Sequence, residues 1–328
     1  MGDTNEGIGV FAMNSAQIHH YSLNTNNSIQ VDLCPACGDK EFLSEGALSG
    51  NSYQFGTSTI DFSVNGIELR RCTGCGLFYK DIVPTMEFLH SLVGKEVSTI
   101  WNEEYDYCFE KTVVMDLLGT NELEILDIGA SEGELLAAFS DVAARSSALD
   151  IVQYPKLLNR LRGEFIHGFL DEVDLSWSKK PYDVITAFDV FEHFYHPKVA
   201  LDNLHNFLKS NGLIVIETGD ANSTDARILG VNNWWYVNLL EHHIFWTEES
   251  IRKFAERNGF EVLKFVQKRH KTAKLPRTIR GILELLKSSL YRVAPSLYKG
   301  LLRIIGRCGR QPRNILSCDH MQIILRKS

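Results

Sequence analysis

The stretch Glu124-Ile-Leu-Asp-Ile-Gly129-Ala-Ser-Glu-Gly133 decides how this chain folds. Its apolar run is too short for a helix and is broken by Gly129, which predicts a buried strand running into a turn. Ala130-Ser-Glu-Gly133-Glu-Leu-Leu-Ala-Ala-Phe then predicts a helix, with Leu135, Phe139 and Val142 on one face. Ser147-Ala-Leu-Asp150 predicts a second strand, ending in an acid 150 − 129 = 21 residues beyond the first glycine. Glycines let a backbone approach a ligand closely, and an acid at the tip of the second strand can accept hydrogen bonds from both hydroxyls of a ribose. The loop reads G-x-S-x-G, with Ser131 where a second glycine commonly sits. Two glycines in a strand-to-helix turn are common, so it is the correctly spaced Asp127 and Asp150 that give the loop its value.

Outward from this unit, strand and helix patterns alternate from residue 121 onward. Such alternation predicts a parallel sheet with helices on both faces. Glu164-Phe-Ile-His-Gly168 reads as the third strand, Tyr182-Asp-Val-Ile-Thr-Ala-Phe-Asp189 as the fourth and Leu213-Ile-Val-Ile-Glu217 as the fifth. Pro197 suits the first position of a helix whose apolar face is Leu201, Leu204 and Leu208, and Asn211-Gly212 reads as its stop. Thr247 to Gly259 predicts a helix with an N-cap threonine, acids in the first turn and an Asn-Gly stop. The strand Phe260-Glu-Val-Leu-Lys-Phe-Val follows, and its hairpin partner is His320-Met-Gln-Ile-Ile-Leu-Arg.

Four of the seven cysteines form two pairs, Cys34-Pro-Ala-Cys37-Gly38 and Cys72-Thr-Gly-Cys75-Gly76. Two intervening residues let both thiolates of a pair face one metal, and the glycine that follows permits the tight turn. Four thiolates complete a tetrahedral zinc site and leave no open position, so the expected Zn2+ is structural. Between the pairs, Tyr53-Gln-Phe-Gly and Ile60 to Arg70 alternate around Asn65-Gly66, which predicts a β-hairpin. Redox-active pairs and a rubredoxin-like iron site are the alternatives. Cys108, Cys308 and Cys318 are scattered, and an odd count without a signal peptide argues against a disulfide framework.

The loop lacks Gly-Lys-Ser/Thr, and Glu132 and Glu134 at the start of the helix would repel a pyrophosphate. S-adenosylmethionine (SAM) has no phosphate and carries a cationic sulfonium, so those acids favour it over NAD. The segments LDIGASEG, ALDI, YDVITAFDVFEH and NGLIVIET resemble successive motifs of the class I SAM-dependent methyltransferases. More narrowly, CxxCG…CxxCGL, Leu229-Gly-Val-Asn-Asn-Trp-Trp-Tyr and Glu241-His-His-Ile-Phe-Trp-Thr are similar to the bacterial type found in polysaccharide and secondary-metabolite clusters. The resemblance implies a Rossmann-like α/β sheet with an N-terminal zinc-ribbon-like module and a C-terminal helical insertion. It implies that Asp127, Gly129, Ala130 and Gly133 line the methionine end of SAM, and that Asp150 holds the ribose with Ile151 against the adenine. Where the family usually places an acid near the adenine amino group, this chain has Phe169, leaving Asp171 as the substitute. Phe188 and Asp189 would border the cofactor. His193, just past the fourth strand, and His242 are the candidate catalytic residues. Glu192 is placed with them, since it and Glu241 could orient the histidines or bind the acceptor. Trp234, Trp235 and Tyr236 read as pocket wall or core.

Composition bounds the rest. With 44% hydrophobic and 23% charged residues and a formal net charge of −7, the chain is an ordinary globular protein whose surface as a whole is no nucleic-acid footprint. No run approaches the ~20 apolar residues of a membrane span, and no secretory signal is visible, so a cytoplasmic location is expected. The expected divisions are a disordered tail (1–30), the zinc-binding module (31–82), a helical linker (83–120) and the SAM-binding domain (121–328) with a basic helical insertion at 268–315. That insertion holds thirteen Lys and Arg against Glu284 alone, a balance of 13 − 1 = +12. It suits a solvated cap over the sheet, an anionic membrane surface at the inner face of the membrane, or RNA. The leading function is methyl transfer to a small-molecule, sugar or glycan-precursor acceptor. A zinc-containing RNA methyltransferase and a non-catalytic zinc scaffold are the alternatives.

Overall fold

The computed structural model describes residues 19–48, 52–55, 58–62, 66–93, 107–173, 180–269, 286–287, 290, 294–304 and 318–328. The N-terminal strands are β1 (His19–Ser22), β2 (Ser28–Gln30), β3 (Phe42–Ala47), β4 (Ser52–Phe55), β5 (Ser58–Asp61), β6 (Glu68–Cys72), β7 (Phe78–Lys80) and β8 (Ile82–Pro84). Helices α1 (Met86–Val93) and α2 (Cys108–Leu118) follow. The second half runs β9 (Leu123–Ile128), α3 (Glu134–Ala138), β10 (Ala143–Asp150), α4 (Pro155–Leu158), β11 (Phe165–His167), β12 (Tyr182–Phe188), α5 (Pro197–Phe207) and β13 (Leu208–Gly219). It ends with α6 (Thr224–Leu229), β14 (Ile244–Phe245), α7 (Glu248–Arg257), β15 (Phe260–Lys268), α8 (Pro295–Ile304) and β16 (His320–Lys327).

The main sheet has seven strands in the order β11-β10-β9-β12-β13-β16-β15. All pairings are parallel except those of β16, which runs antiparallel to both β13 and β15. This is the expected Rossmann-like α/β class of the class I methyltransferases. Strand β9 lies inside the sheet, so Ile125, Leu126 and Ile128 are at most 1% exposed. Each contributes roughly 1.5–3 kcal/mol of burial. The strand order reverses beside β9, where β10 leaves on one side and β12 joins on the other. Ligands bind outside the carboxyl ends of the strands at such a switch point.

Several expectations are corrected. Residues 1–18 lie outside the described residues, but 19–30 are no tail, because β1 pairs with β5 and β2 with β8. Against the expectation from the Asn65-Gly66 turn, the strands on either side of it do not pair with each other among the described residues: β5 pairs with β4, whereas β6 belongs to a different sheet, ordered β14-β7-β6-β3. The alternation of residues is the same either way, and only the partners differ. Asn211-Gly212 does not stop a helix. Helix α5 ends at Phe207, and the pair lies inside β13, with Asn211 at φ +62°. Of the basic insertion, 270–285, 288–289, 291–293 and 305–315 lie outside the described residues. Lys268 is no part of a free basic surface, because it closes β15 and bonds Glu110 and Glu217 at 2.5 and 2.6 Å. On the described helical pieces Leu286, Leu297 and Leu301 are exposed.

The cysteine module is fused to the sheet rather than tethered to it. Cys34, Cys72, Cys75, Leu77 and Tyr79 share one apolar core with Leu126, Ile185 and Ile214 of the main sheet. The joint is β14, a two-residue strand that pairs antiparallel with β7, matching Ile244 to Tyr79 and Phe245 to Phe78.

Helix α7 begins with a capping box in which Thr247 and Ser250 bond each other's backbone amides, at 3.1 Å and 2.9 Å. Thr247→Ala is expected to cost about 1 kcal/mol. The check is a shift in the denaturant midpoint with an unchanged slope.

Candidate functional site

A cavity of about 450 Å³ opens at the carboxyl ends of β9, β10 and β12. Its floor is the Gly129–Gly133 loop. Gly129 has φ +69°, and a Cβ there would stand 2.5 Å from Val190 Cγ2. Gly133 has φ +84°, with Leu157 Cδ1 2.9 Å from a Cβ position. Both the backbone angle and the space therefore require glycine. Ser131 adopts φ +47° without being glycine, a conformation that costs an L-residue about 1 kcal/mol. Its amide is turned onto Asp150, donating to Oδ2 at 2.8 Å, while the Val152 amide donates to Oδ1 at 2.8 Å. The carboxylate at the tip of β10 is thus fixed in direction by two backbone donors.

Ala130, Ile151, Phe188 and Asp189 line this cavity together with Asp127, Gly129 and Asp150. Gly133 supports the loop from behind. Asp171 is elsewhere: its Oδ2 accepts from the amides of Tyr195 and His196 at 3.0 and 3.2 Å, so it holds the turn before α5 and does not wall the cavity. Phe169 does wall it, and its ring stacks on His90 with centroids 4.8 Å apart and planes 19° apart. His90 comes from α1, which sequence spacing does not connect to this loop.

Among the described residues seven acids line the cavity, Asp127, Glu134, Asp150, Asp189, Glu192, Glu217 and Glu241, against one lysine, Lys268. Burial pushes Asp127 up to about 7, although Thr186 donates to it at 2.6 Å and favours the charged form. Burial also raises Asp150 and Glu217, the latter partly offset by Lys268. Asp189 takes φ +53° at the tip of β12, and its carboxylate lies 3.4 Å from His320. Burial would push His320 down, yet its bonds to Asp189 and Asp319 outweigh that and hold it at about 10.

The opposite end gathers Glu192, His193 and His242. Glu192 is wholly buried and accepts from Thr218 at 2.8 Å and from the Tyr236 hydroxyl. Burial raises its carboxyl pKa. The rings of His193 and His242 meet edge to face with centroids 4.8 Å apart, and Tyr236 packs on His242 at 4.2 Å. Burial lowers His242, so it is neutral around pH 7. Tyr53 of β4 donates to Glu241 at 2.9 Å, and buried Lys80, pushed down to about 7 by burial, donates to the Leu239 carbonyl at 2.7 Å. The N-terminal sheets therefore wall the cavity and hold the loop that carries His242. His243 faces away, its ring 4.2 Å from that of Tyr195. Trp235 and Tyr236 line the cavity, and Trp234 is core.

Sequence reading missed Glu217, Lys268, His90, Tyr53 and His320 as parts of this site. Only Glu217, the last residue of its predicted strand, carried a positional signal.

The four cysteines converge. Sγ atoms of Cys34 and Cys75, and of Cys37 and Cys72, lie 3.5 Å apart, and all four are within 4.8 Å of one another. Tetrahedral zinc with bonds of ~2.3 Å separates its sulfurs by ~3.8 Å, so the thiols fit such an ion. Gly38 at φ +75° and Gly76 at φ +81° close the knuckles, donating to the carbonyls of Cys34 and Cys72 at 2.8 and 3.0 Å.

Residues 97–264, just over half of the chain, match the family described as Methyltransferase domain. The chain belongs to this family. A ubiquinone biosynthesis O-methyltransferase of Rickettsia conorii is 29% identical over 119 residues, covering 34% of this chain and 39% of the relative. The chain thus spans about two fifths of that relative's length. A solved 1,6-didemethyltoxoflavin-N1-methyltransferase of Burkholderia thailandensis is 15% identical with a TM-score of 0.47, covering 85% of this chain and 100% of that one. An N-methyltransferase of Bradyrhizobium japonicum, solved with S-adenosylhomocysteine, is 13% identical with a TM-score of 0.43, covering 73% and 97%.

With its carboxyl raised to about 7, Asp127 makes the ligand-free fold most stable below the ordinary aspartate range, and that stability is lost as pH rises through 7. Asp127→Asn removes the buried charge. It is expected to stabilise the ligand-free chain by on the order of 2 kcal/mol at pH 8 and negligibly at pH 4, read by thermal unfolding at the two pH values.

Proposed function

We propose that this chain is a SAM-dependent methyltransferase acting on a small-molecule or glycan-precursor acceptor, with a structural Zn2+ in its four-cysteine site. The carrying observation is the acidic lining of the cavity: among the described residues seven Asp and Glu and one Lys surround a glycine-floored loop. A sulfonium and an α-amino group are both cationic, whereas a dinucleotide brings a pyrophosphate that these acids would repel. The residues fit the cofactor. Asp127, Gly129 and Ala130, which line the cavity, would take the methionine end, with Gly133 shaping the loop beneath them, and Asp150, oriented by two amides, would take the ribose hydroxyls. Ile151 and the stacked Phe169–His90 pair offer apolar faces to the adenine, a role expected of Asp171 that passes to these rings. Phe188 and Asp189 border the sulfur end.

Bound SAM supplies the methyl group as an electrophile on sulfonium. The transfer is an in-line displacement in which proximity and orientation do most of the work. The chain's own part is to hold the acceptor in the space between the loop and the Glu192, His193 and His242 cluster, and to receive or relay a proton where the acceptor must lose one. Tyr53 and Phe55 close that space from the N-terminal side, which suits a small acceptor better than a nucleic-acid strand. The matched relatives named for ubiquinone biosynthesis O-methylation support a small-molecule acceptor. Among the described residues no helix is long and apolar enough to cross a membrane.

Calorimetry of the zinc-loaded chain with SAM and S-adenosylhomocysteine tests the reading. One site is expected for each ligand, weakened at least tenfold, or about 1.4 kcal/mol, by Asp150→Ala. Absence of binding by both ligands would favour the scaffold alternative. For the cysteine site, Cys34→Ser with Cys75→Ser is expected to lose one equivalent of zinc by elemental analysis. It should also lower the melting temperature, because the module shares the core of the sheet.

A further inference from the structure

The acceptor end of the cavity brings three metal-binding side chains together from two loops. Nε2 of His193 stands 4.0 Å, and Nε2 of His242 3.9 Å, from the same oxygen, Oε1 of Glu192. One ligand atom from each residue lies within 4.8 Å of the other two. We propose that Glu192, His193 and His242 form a second metal site, distinct from the cysteines, which takes a divalent ion of imidazole-preferring type such as Zn2+. Its use toward an acceptor rests on the methyl-transfer reading above; the binding of the ion does not.

Three observations carry this. First, Nδ1 of His193 lies 2.9 Å from the Glu241 carbonyl oxygen. A carbonyl only accepts, so Nδ1 holds the ring proton and Nε2 turns its lone pair toward Glu192. Metal-binding imidazoles are commonly oriented in this way, through a backbone bond on the far nitrogen. Second, the Glu192 carboxylate is buried and pinned by Thr218 and Tyr236, yet among the described residues its ion-pair contacts are only these two histidines. An anion and a lone pair aimed at each other in a buried site call for a cation between them. Third, His242 is 3% exposed, and its Nδ1 has no hydrogen-bond partner among the described residues. With no hydrogen bond at Nδ1 to fix the tautomer, Nε2, 3.9 Å from Glu192 Oε1, is able to carry the lone pair.

All three residues line the cavity, so an ion held by them keeps open positions facing a ligand. Three protein ligands with an open position is the arrangement of catalytic zinc, whereas the cysteine site is closed. Two nitrogens and one oxygen suit zinc-like ions better than magnesium, which prefers oxygen throughout. Ligands around a tetrahedral ion with bonds of ~2.1 Å stand ~3.4 Å apart, so each histidine must close on Glu192 by about half an ångström to bind one. An acceptor oxygen in the open position would be polarised and its proton made easier to lose.

The test counts zinc in the full-length chain after dialysis against buffered Zn2+, with S-adenosylhomocysteine calorimetry on the same samples. The wild-type chain is expected to hold two equivalents. His193→Ala, His242→Ala and the milder His242→Gln should each hold one while still binding S-adenosylhomocysteine. One equivalent in the wild-type chain would overturn the proposal and leave the histidines as bases or positioning groups. Two equivalents in all three variants would overturn it as well, by placing the second ion elsewhere. Loss of S-adenosylhomocysteine binding in the wild-type chain would count against the methyl-transfer reading alone, since the zinc count stands apart from it.

Discussion

The buried residue Glu192 ties the structure together at its functional end. Its carboxylate accepts from Thr218 on β13 and from Tyr236, and its backbone carbonyl accepts from the amides of His243 and Ile244 at 2.8 and 3.3 Å. Those last two residues lead into β14, which pairs with β7 just beyond the second cysteine knuckle. One residue after the fourth sheet strand therefore joins the parallel sheet, the aromatic wall and the cysteine module. Such a charge is costly to bury unless every oxygen is held, and each of these bonds lowers that cost. Removing the carboxylate would leave the Thr218 and Tyr236 hydroxyls without the acceptor they share in the interior, so the segments it joins depend on it together.

The two ends of the cavity are built by different means. At the loop end, backbone does the work: positive φ at Gly129, Ser131 and Gly133 aims amides and opens space, and Asp150 is steered by main-chain donors. At the other end, side chains from four separate segments meet, namely Tyr53, Glu192 with His193, Tyr236, and Glu241 with His242. A backbone-made site is suited to a ligand shared by a whole fold class. A side-chain-made site can be rewritten residue by residue to suit a particular acceptor.

Strain is concentrated where the chain faces the cavity. Ser131 and Asp189 are two of the three non-glycine residues with positive φ among the described residues, and both line the cavity. Each costs on the order of 1 kcal/mol, and surrounding bonds hold each in place. Asp189 donates its amide to the Glu217 carbonyl at 2.9 Å, and its carboxylate meets His320. The buried acids add electrostatic cost in the ligand-free state, which a cationic ligand would relieve.

Much of this was legible in the chain itself. Local runs such as Ile125 to Gly129, Tyr182 to Asp189 and Thr247 to Gly259 declare a strand or helix, because burial and capping leave their mark within ten or so residues. The glycine loop, Asp150 and the paired cysteines were readable for the same reason: turn geometry and ligand spacing are local. What the order of residues does not reveal is which distant segment a side chain will meet. Alternation around Asn65-Gly66 fits either partner of β5 and β6, the stacking of Phe169 on His90 depends on where α1 lands, and Lys268 is basic in sequence but spent on Glu110 and Glu217 in space. The sequence by itself determined the sheet, the glycine cradle and the four-thiol cluster. Only the tertiary structure decided that Glu192, His193 and His242 converge and that the cysteine module walls the cavity, because both rest on long-range packing around one buried carboxylate.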